Sequence, residues 1–261
     1  MNELGDRKPI ISVITPTYNS EQFIAGTIES VQAQTFSEWE MMIVDDCSTD
    51  RTAEIVKSYA EKDSRIHLTV LDTNQGSAIT RNTAMDQSKG RYIAFLDSDD
   101  LWLPEKLEKQ LIFMQDNGIA FSFTQYVRMN EDGIDTGAIS TAPATVTYED
   151  LMKRCVIGCL TVMLDRERIG ERRMVNIRTR QDYAFWLEIT RNGHFAYGLP
   201  EVLARYRLVG NSISSNKWKA AKRNWYVFRE VEQQTLPQTV YYFSHYVARS
   251  LRDLLKWNVK K

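Results

Sequence analysis

Cysteine and histidine are scarce, three of each in 261 residues. An odd and sparse cysteine count excludes a disulfide framework and suits a reducing compartment. Cys155 and Cys159 have the spacing of one helix face, but no second ligand pair accompanies them, so a zinc site is not expected. His67, His194 and His245 are scattered along the chain. No apolar run reaches the roughly 18 residues that a bilayer-spanning helix needs. Met1 to Lys8 is polar and lacks the apolar core of a secretion signal, so the expected location is cytoplasmic. The net charge is only −1, without the basic excess of a general nucleic-acid binder. Neither Gly-x-x-x-x-Gly-Lys-Ser/Thr nor Gly-x-Gly-x-x-Gly after the first strand occurs, which removes support from nucleotide-hydrolase and dinucleotide readings. Internal repeats and low-complexity tracts are also missing.

What is present is ordinary globular composition, 43% apolar and 26% charged, in a length that suits one large α/β domain or two small ones. Ile10 to Thr15 is a β-branched run ending at Pro16 and reads as a buried strand. Phe23, Ile24, Thr27, Ile28 and Val31 then recur at helical spacing. Strands are expected at Trp39–Val44, Ile66–Leu71 and Tyr92–Leu96. Helices are expected after Ser48-Thr49-Asp50, over Ser77–Gln87 and from Pro104 to about Asn117. This alternation predicts a mostly parallel sheet with helices on both faces. Beyond residue 118 the pattern weakens. Ala120–Arg128, Thr161–Leu164 and Val202–Tyr206 read as strands, Asp182–Arg191 as a helix, and Asn130–Thr145 as a loop with an Asp132-Gly133 turn.

Ligands of open α/β sheets sit at the carboxyl ends of the strands, so Pro16–Asn19, Asp45–Asp50 and Asp97–Asp100 should converge on one cleft. In Asp97-Ser98-Asp99, two carboxylates two residues apart can face one ligand and hold a hard divalent cation together with phosphate oxygens. The plainer reading is a solvated acidic turn; its place directly after Ile93-Ala94-Phe95-Leu96 favours function. Asp45-Asp46 also ends a strand. One carboxylate there can accept from the imide N–H of a uracil ring, and helix capping is already served by Ser48 or Asp50. Cys47 between them reads as a packed thiol, with no histidine near it in sequence. Gly76 permits close backbone approach and Arg81 suits a phosphate, although a plain capped helix with an exposed arginine fits equally well. Asp182, before Ala184-Phe185-Trp186-Leu187, is either a helix cap or a general base.

Together these stretches resemble family-2 glycosyltransferases of the GT-A fold. The matching runs are Ser12–Asn19 (SVITPTYN), Ser30–Thr35 (SVQAQT), Ile43–Asp50 (IVDDCSTD), Asn74-Gln75-Gly76, Arg81-Asn82 and Phe95–Asp100 (FLDSDD), in order and at family-like spacing. The close match covers roughly residues 9–125; the second half matches at Gln181-Asp182 and Tyr206-Arg207. The resemblance implies a mixed α/β sheet with helices on both faces. Residues 1–118 would form the nucleotide-sugar half, 119–216 the acceptor half and 217–261 a C-terminal helical tail. It implies that Pro16, Tyr18 and Asp46 bind uridine, that Gly76, Arg81 and Ser98 belong to the donor site, and that Asp97 and Asp99 hold Mn²⁺ or Mg²⁺. Asp182 would be the base of an inverting hexosyltransferase. Its donor would be a UDP-sugar and its acceptor a saccharide, lipid-linked in surface polysaccharide synthesis. One departure stands out: the family often has a His after the Tyr-Arg pair, whereas here Tyr206-Arg207 runs into Leu208-Val209-Gly210-Asn211-Ser212. Either the metal has fewer protein ligands, or Arg207 and Asn211 help hold the diphosphate. The alternatives are a catalytically inactive nucleotide-sugar-binding homologue and, more weakly, a nucleotidyltransferase, which would carry a Gly-rich basic loop after the first strand.

The tail differs in charge from the rest. Residues 217–261 carry +7 and the preceding 216 residues −8. Trp218, Trp225, Tyr226, Phe228, Tyr241, Tyr242, Phe243, Tyr246 and Trp257 lie among its lysines and arginines. That mixture suits the interface of an anionic bilayer, which would place the protein peripherally on the inner face of the plasma membrane. The alternative is a helical pair, interrupted near Pro237, packed on the catalytic domain or on a second subunit as a homodimer.

Overall fold

A computed structural model describes residues 9–210 and 217–258, with side chains described over 9–210 and 220–248. The first half alternates strands β1 (Ile11–Thr17), β2 (Trp39–Asp45), β3 (Ile66–Val70) and β4 (Tyr92–Phe95) with helices α1 (Ile24–Gln32), α2 (Thr52–Ala60) and α3 (Ser77–Gln87). These four strands pair in parallel in the order β3-β2-β1-β4. The order reverses beside β1, which opens a crevice at the carboxyl ends of β1 and β4. β5 (Leu101–Trp102) and α4 (Lys106–Asp116) lead into β6 (Phe121–Met129), β7 (Asp135–Ser140) and β8 (Thr145–Val146). There follow α5 (Tyr148–Lys153), a 3₁₀ turn at Cys159–Thr161, β9 (Met163–Asp165), α6 (Arg166–Ile169), α7 (Gln181–Arg191) and β10 (Ala196–Arg207).

The sheet is mixed. β9 runs antiparallel between β4 and β6, while β10 is parallel to β6. The two halves divided at residue 118 therefore share one continuous sheet. Side chains of β1, β2 and β4 alternate between two cores. Ile14, Met42, Val44, Ile93 and Phe95 pack with α3, α5 and α7 on one face. Ile11, Val13, Met41, Ile43 and Ala94 pack with α1, α2 and α4 on the other. Because both faces are covered, these strands read as unbroken apolar runs. Trp186 of α7, fully buried, lies against Phe95 and Phe121 with ring centroids 5.5 and 5.3 Å apart.

One expectation changes. The stretch 130–145 is not a loop: Asp132-Gly133 closes a hairpin into β7, with Gly133 at φ +81. β7 is exposed along almost its whole length, so it carries no alternating apolar signal. The tail is interrupted near Pro237 as expected, over residues 232–235, but the proline does not cause the break: it lies in the first turn of α9 (Leu236–Asn258), where its missing N–H costs nothing. Ahead of the break, α8 (Lys217–Tyr226) runs on into a π-helical turn over Val227–Val231. Val227 and Phe228 of that turn are buried in the same core as Phe185 and Trp186, so this part of the tail is built into the α/β fold.

Candidate active site

Three polar loops meet at the carboxyl edge of the sheet. β1 ends in Tyr18, 48% exposed, and Asn19, at φ 48. Asparagine tolerates this left-handed turn, and its Oδ1 accepts from the Thr49 N–H at 2.9 Å while its own N–H donates to Ser48 Oγ. The Ser20 N–H donates to Thr52 Oγ1, and Ser20 Oγ meets Ser98 Oγ at 2.8 Å. The loops after β1, β2 and β4 are thus bonded to one another as expected. Pro16 is buried in β1 beyond the end of the β4 pairing, where the absent N–H breaks no ladder bond.

Asp45 and Asp46 divide their work. Asp45 is fully buried and holds the turn through the Ser48 N–H at 2.8 Å. Asp46 accepts from the Gln75 N–H at 2.7 Å on Oδ1 and from the Gly76 N–H at 2.8 Å on Oδ2. Each oxygen keeps a second lone pair for a ligand. Gly76 sits at φ +88 with nothing within 4 Å of where a Cβ would stand, so backbone conformation selects glycine here. Cys47, half-buried at φ 62, has no catalytic partner.

Asp97 and Asp99 follow β4 in a turn closed by the Asp100 N–H on the Asp97 carbonyl at 3.1 Å. Burial, reinforced by the charge of Asp97, pushes the Asp99 carboxyl up to about 6. Asp100 is almost fully buried, and burial raises its carboxyl well above the ordinary range. Among the described residues, no group of three or more His, Cys, Asp and Glu side chains is arranged to hold a metal ion. The Asp97/Asp99 pair does fit a cation completed by phosphate oxygens, since its excess negative charge strains Asp99.

Two arginines expected at the donor site have protein partners in this structure. Arg81 is 5% exposed; its Nη2 donates to Asp97 Oδ1, and its Nε and Nη1 are buried without partners. Burial works against its charge, but Asp97 and Asp182 are among the neighbours that outweigh this. Arg207 gives its backbone N–H to Asp100 Oδ1 at 2.8 Å, its Nε to the Asp99 carbonyl at 2.8 Å and its Nη1 to the Glu131 carbonyl at 2.6 Å. Its guanidinium also lies 4.8 Å from the Phe23 ring centroid. Through these bonds it braces the acidic loop. Asn211 lies outside the described residues.

Asp182 occupies the first turn of α7 and its side chain caps nothing, so the capping alternative fails. Gln181 beside it donates from Nε2 to Ser77 Oγ at 2.7 Å. That contact ties the start of α7 to the start of α3, one residue from the Gly76 amide that binds Asp46. Asp46, Asp97, Asp99 and Asp182 therefore belong to one edge of the molecule.

A model of the glycosyl transferase family 2 matches residues 12–207. The chain belongs to that family. Over 248 residues it is 51% identical to TuaG of Bacillus subtilis (strain 168), a protein assigned to teichuronic acid biosynthesis as a glycosyltransferase, covering 95% of this chain and 98% of that one. It is 38% identical over 244 residues to WfgD of Escherichia coli, covering 93% and 94%. WfgD is named a UDP-Glc:alpha-D-GlcNAc-diphosphoundecaprenol beta-1,3-glucosyltransferase. The structure of S. aureus TarS 1–349 with UDP-GlcNAc superposes with a TM-score of 0.69 at 25% identity, covering 85% of this chain and 65% of that one. The protein is a glycosyltransferase with a GT-A-type mixed sheet.

Several parts of the transferase site escape motif reading. Thr27 of α1 donates to the carbonyls of Ser98 and Asp100, each at 2.9 Å, and clamps the acidic loop; in sequence it reads as one more apolar-face position. Cys159 stands just ahead of β9, which runs antiparallel to β4, so it comes beside the Asp97 end of that strand. Burial holds its thiol well above the usual range, which makes it a packing group and not a nucleophile. A cavity of about 620 Å³ lined by Met85, Ile93, Arg166, Phe185 and Glu188 lies at the far ends of α3 and α7, away from these carboxylates.

Proposed function

We propose that this glycosyltransferase inverts the anomeric centre of a UDP-linked hexose or N-acetylhexosamine as it passes the sugar to a lipid-linked saccharide acceptor in surface polysaccharide synthesis. The observation that carries the reading is the shared edge. Asp46 and Gly76 sit where a uracil would be gripped, and Asp182 acts electrostatically on the same buried Arg81 that pairs with Asp97. Exposed Tyr18 offers its ring to the base. WfgD, with its diphospholipid-linked acceptor, supports the acceptor class.

The chemistry follows from charge placement. Asp182 removes the proton of the acceptor hydroxyl as the new bond forms, since a carboxylate is too weak a base to do so beforehand. The hydroxyl attacks the anomeric carbon opposite the diphosphate. Asp99, with Asp97 beside it, would hold a Mn²⁺ or Mg²⁺ ion that neutralises charge on the departing UDP. Arg207 and Thr27 keep the acidic loop fixed so that little reorganisation accompanies departure.

The tail supports a peripheral membrane position. Among the described residues no helix is long and apolar enough to cross a membrane. Tyr242 and Phe243 of α9 pack on Phe228 and Trp225, and exposed Leu236, Val240 and Val247 continue the Phe243 side of the helix at spacings of four, three and four residues. An exposed apolar stripe within a +7 segment fits an anionic bilayer. Co-sedimentation with anionic vesicles tests this. A Leu236→Ser/Val240→Ser/Val247→Ser variant should stay in the supernatant; a parent protein that itself fails to pellet would favour the homodimer surface. The activity itself is tested by UDP release from a panel of UDP-sugars with a diphospholipid-linked N-acetylglucosamine. Acceptor-dependent release is expected, and no release from any donor would leave the inactive-homologue reading.

A further inference from the structure

The π-helical turn delivers Glu232 into the protein, 5% exposed, against the far end of the helix that begins at Asp182. Glu232 Oε2 accepts from Tyr148 Oη at 2.7 Å and from Arg191 Nη1 at 2.9 Å. Gln234 Nε2 donates to the same Tyr148 hydroxyl at 2.9 Å. Tyr148 opens α5 and Arg191 closes α7, so one carboxylate joins the tail to both helices. Glu232 Oε1 is buried without a partner. Burial raises the carboxyl above its ordinary range, against the pull of Tyr148 and Arg191. Apolar residues of similar volume in place of both Glu232 and Arg191 would fold about as well, because desolvating a buried acid offsets what its ion pair contributes. What a charge adds is a fixed direction for Arg191.

Direction matters because both ends of α7 are tied to other elements. Its first turn is tied to α3 through Gln181 and Ser77, and its last residue to the tail through Arg191 and Glu232. Asp182 and Arg191 are about 13 Å apart along a helix rising about 1.5 Å per residue, and such a helix moves as a rod. Phe185, Trp186 and Leu187 between them are packed into the core that also takes Val227 and Phe228. A small tilt at the Arg191 end is therefore transmitted to Asp182, and displacements near 1 Å cost catalysis heavily.

We propose that Glu232 is a positioning residue that couples the C-terminal helical pair to Asp182 through Arg191. The proposal rests on Asp182 being the base. The test compares Glu232→Gln, Arg191→Met and the double variant, with kcat for transfer expressed per UDP-binding site so that misfolded protein does not count. Each single variant should lose about tenfold in kcat, with donor KM and UDP Kd unchanged, and the double variant should lose no more than either single because both break one contact. A purely structural role would lower Tm and leave kcat per UDP-binding site intact; that result, or losses that multiply in the double variant, overturns the proposal. If Glu232→Gln does not fold, Arg191→Met, whose side chain is 47% exposed, decides by the same criterion. Asp182→Asn is measured beside them. Retained kcat in that variant would sink the base assignment itself, whereas its loss together with intact kcat in the other two would sink only the coupling.

Discussion

Replacing Asp46 with Ala removes the acceptor of two backbone amides at once, the Gln75 N–H at 2.7 Å and the Gly76 N–H at 2.8 Å. From motif alone Asp46 reads as a ligand contact whose loss spares the fold; the amides change that expectation. Hydrogen bonds to a charged group contribute about 1.5–3 kcal/mol each. The loop is only partly buried, so water reaches the freed amides, and the lower end applies: about 3 kcal/mol for the pair. At roughly 2–4 °C per kcal/mol for a domain of this size, Tm should fall by about 6–12 °C. Asp46→Asn retains one acceptor oxygen but turns an NH₂ against the second amide, so it should give at least half that fall. UDP affinity should drop at least tenfold in both, since the loop that positions Gly76 is released together with the uracil contact. Calorimetry for Tm and titration calorimetry for UDP read the two effects separately. A Tm within about 2 °C of the parent in the alanine variant would refute the bracing role, whatever happens to UDP.

Asp182→Asn should lower kcat by about 10²–10⁴-fold with UDP binding intact, as expected of a general base; weaker UDP binding would move Asp182 to the donor site. Asp99, raised to about 6 by burial and Asp97, gains its charge as pH climbs through that value. Mn²⁺ affinity in the presence of UDP should therefore rise between pH 5 and 7, changing about tenfold per unit on the acid side, and a flat titration profile would contradict the ligand role. The same raised carboxyl costs the folded protein stability progressively as pH rises from the ordinary value of 3.8 to about 6, and the full cost is present above that, so removal of metal should matter more at pH 8 than at pH 5. Gly76→Ala meets no steric clash but must hold φ +88 and ψ 159, which costs about 1–3 kcal/mol. Urea denaturation should show that loss, and an unchanged midpoint would mean that the loop relaxes.

The first half of the fold was legible because its strands are covered on both faces and its helices keep one apolar stripe. Ser77–Gln87 was bounded correctly from the residues, and the strands ended within two residues of their expected ends. Asp-x-Asp and Asp45-Asp46 were legible because polar residues directly after buried strands have few structural uses. Other features depend on partners distant in sequence. Thr27 looks apolar in a helical pattern, and only the return of the acidic loop 71 and 73 residues later gives its hydroxyl two carbonyls. Sequence shows the charge of Arg81 and Arg207 and not their partners, Asp97 for the first and the Asp99 and Glu131 carbonyls for the second. β7 escaped notice since its pairing with β6 buries almost none of its side chains. Glu232 belongs to no motif in the sequence, and only the π-helical turn before it places it inside.

The anomeric configuration of the product tests the central claim most directly. Transfer from an α-linked UDP-sugar to the lipid-linked acceptor, followed by proton NMR of the new glycosidic bond, should show a β linkage, as one attack opposite the diphosphate by a hydroxyl deprotonated at Asp182 requires. An α linkage would mean two displacements or front-face attack, and the arrangement of Asp182 and the acidic loop proposed here would be wrong.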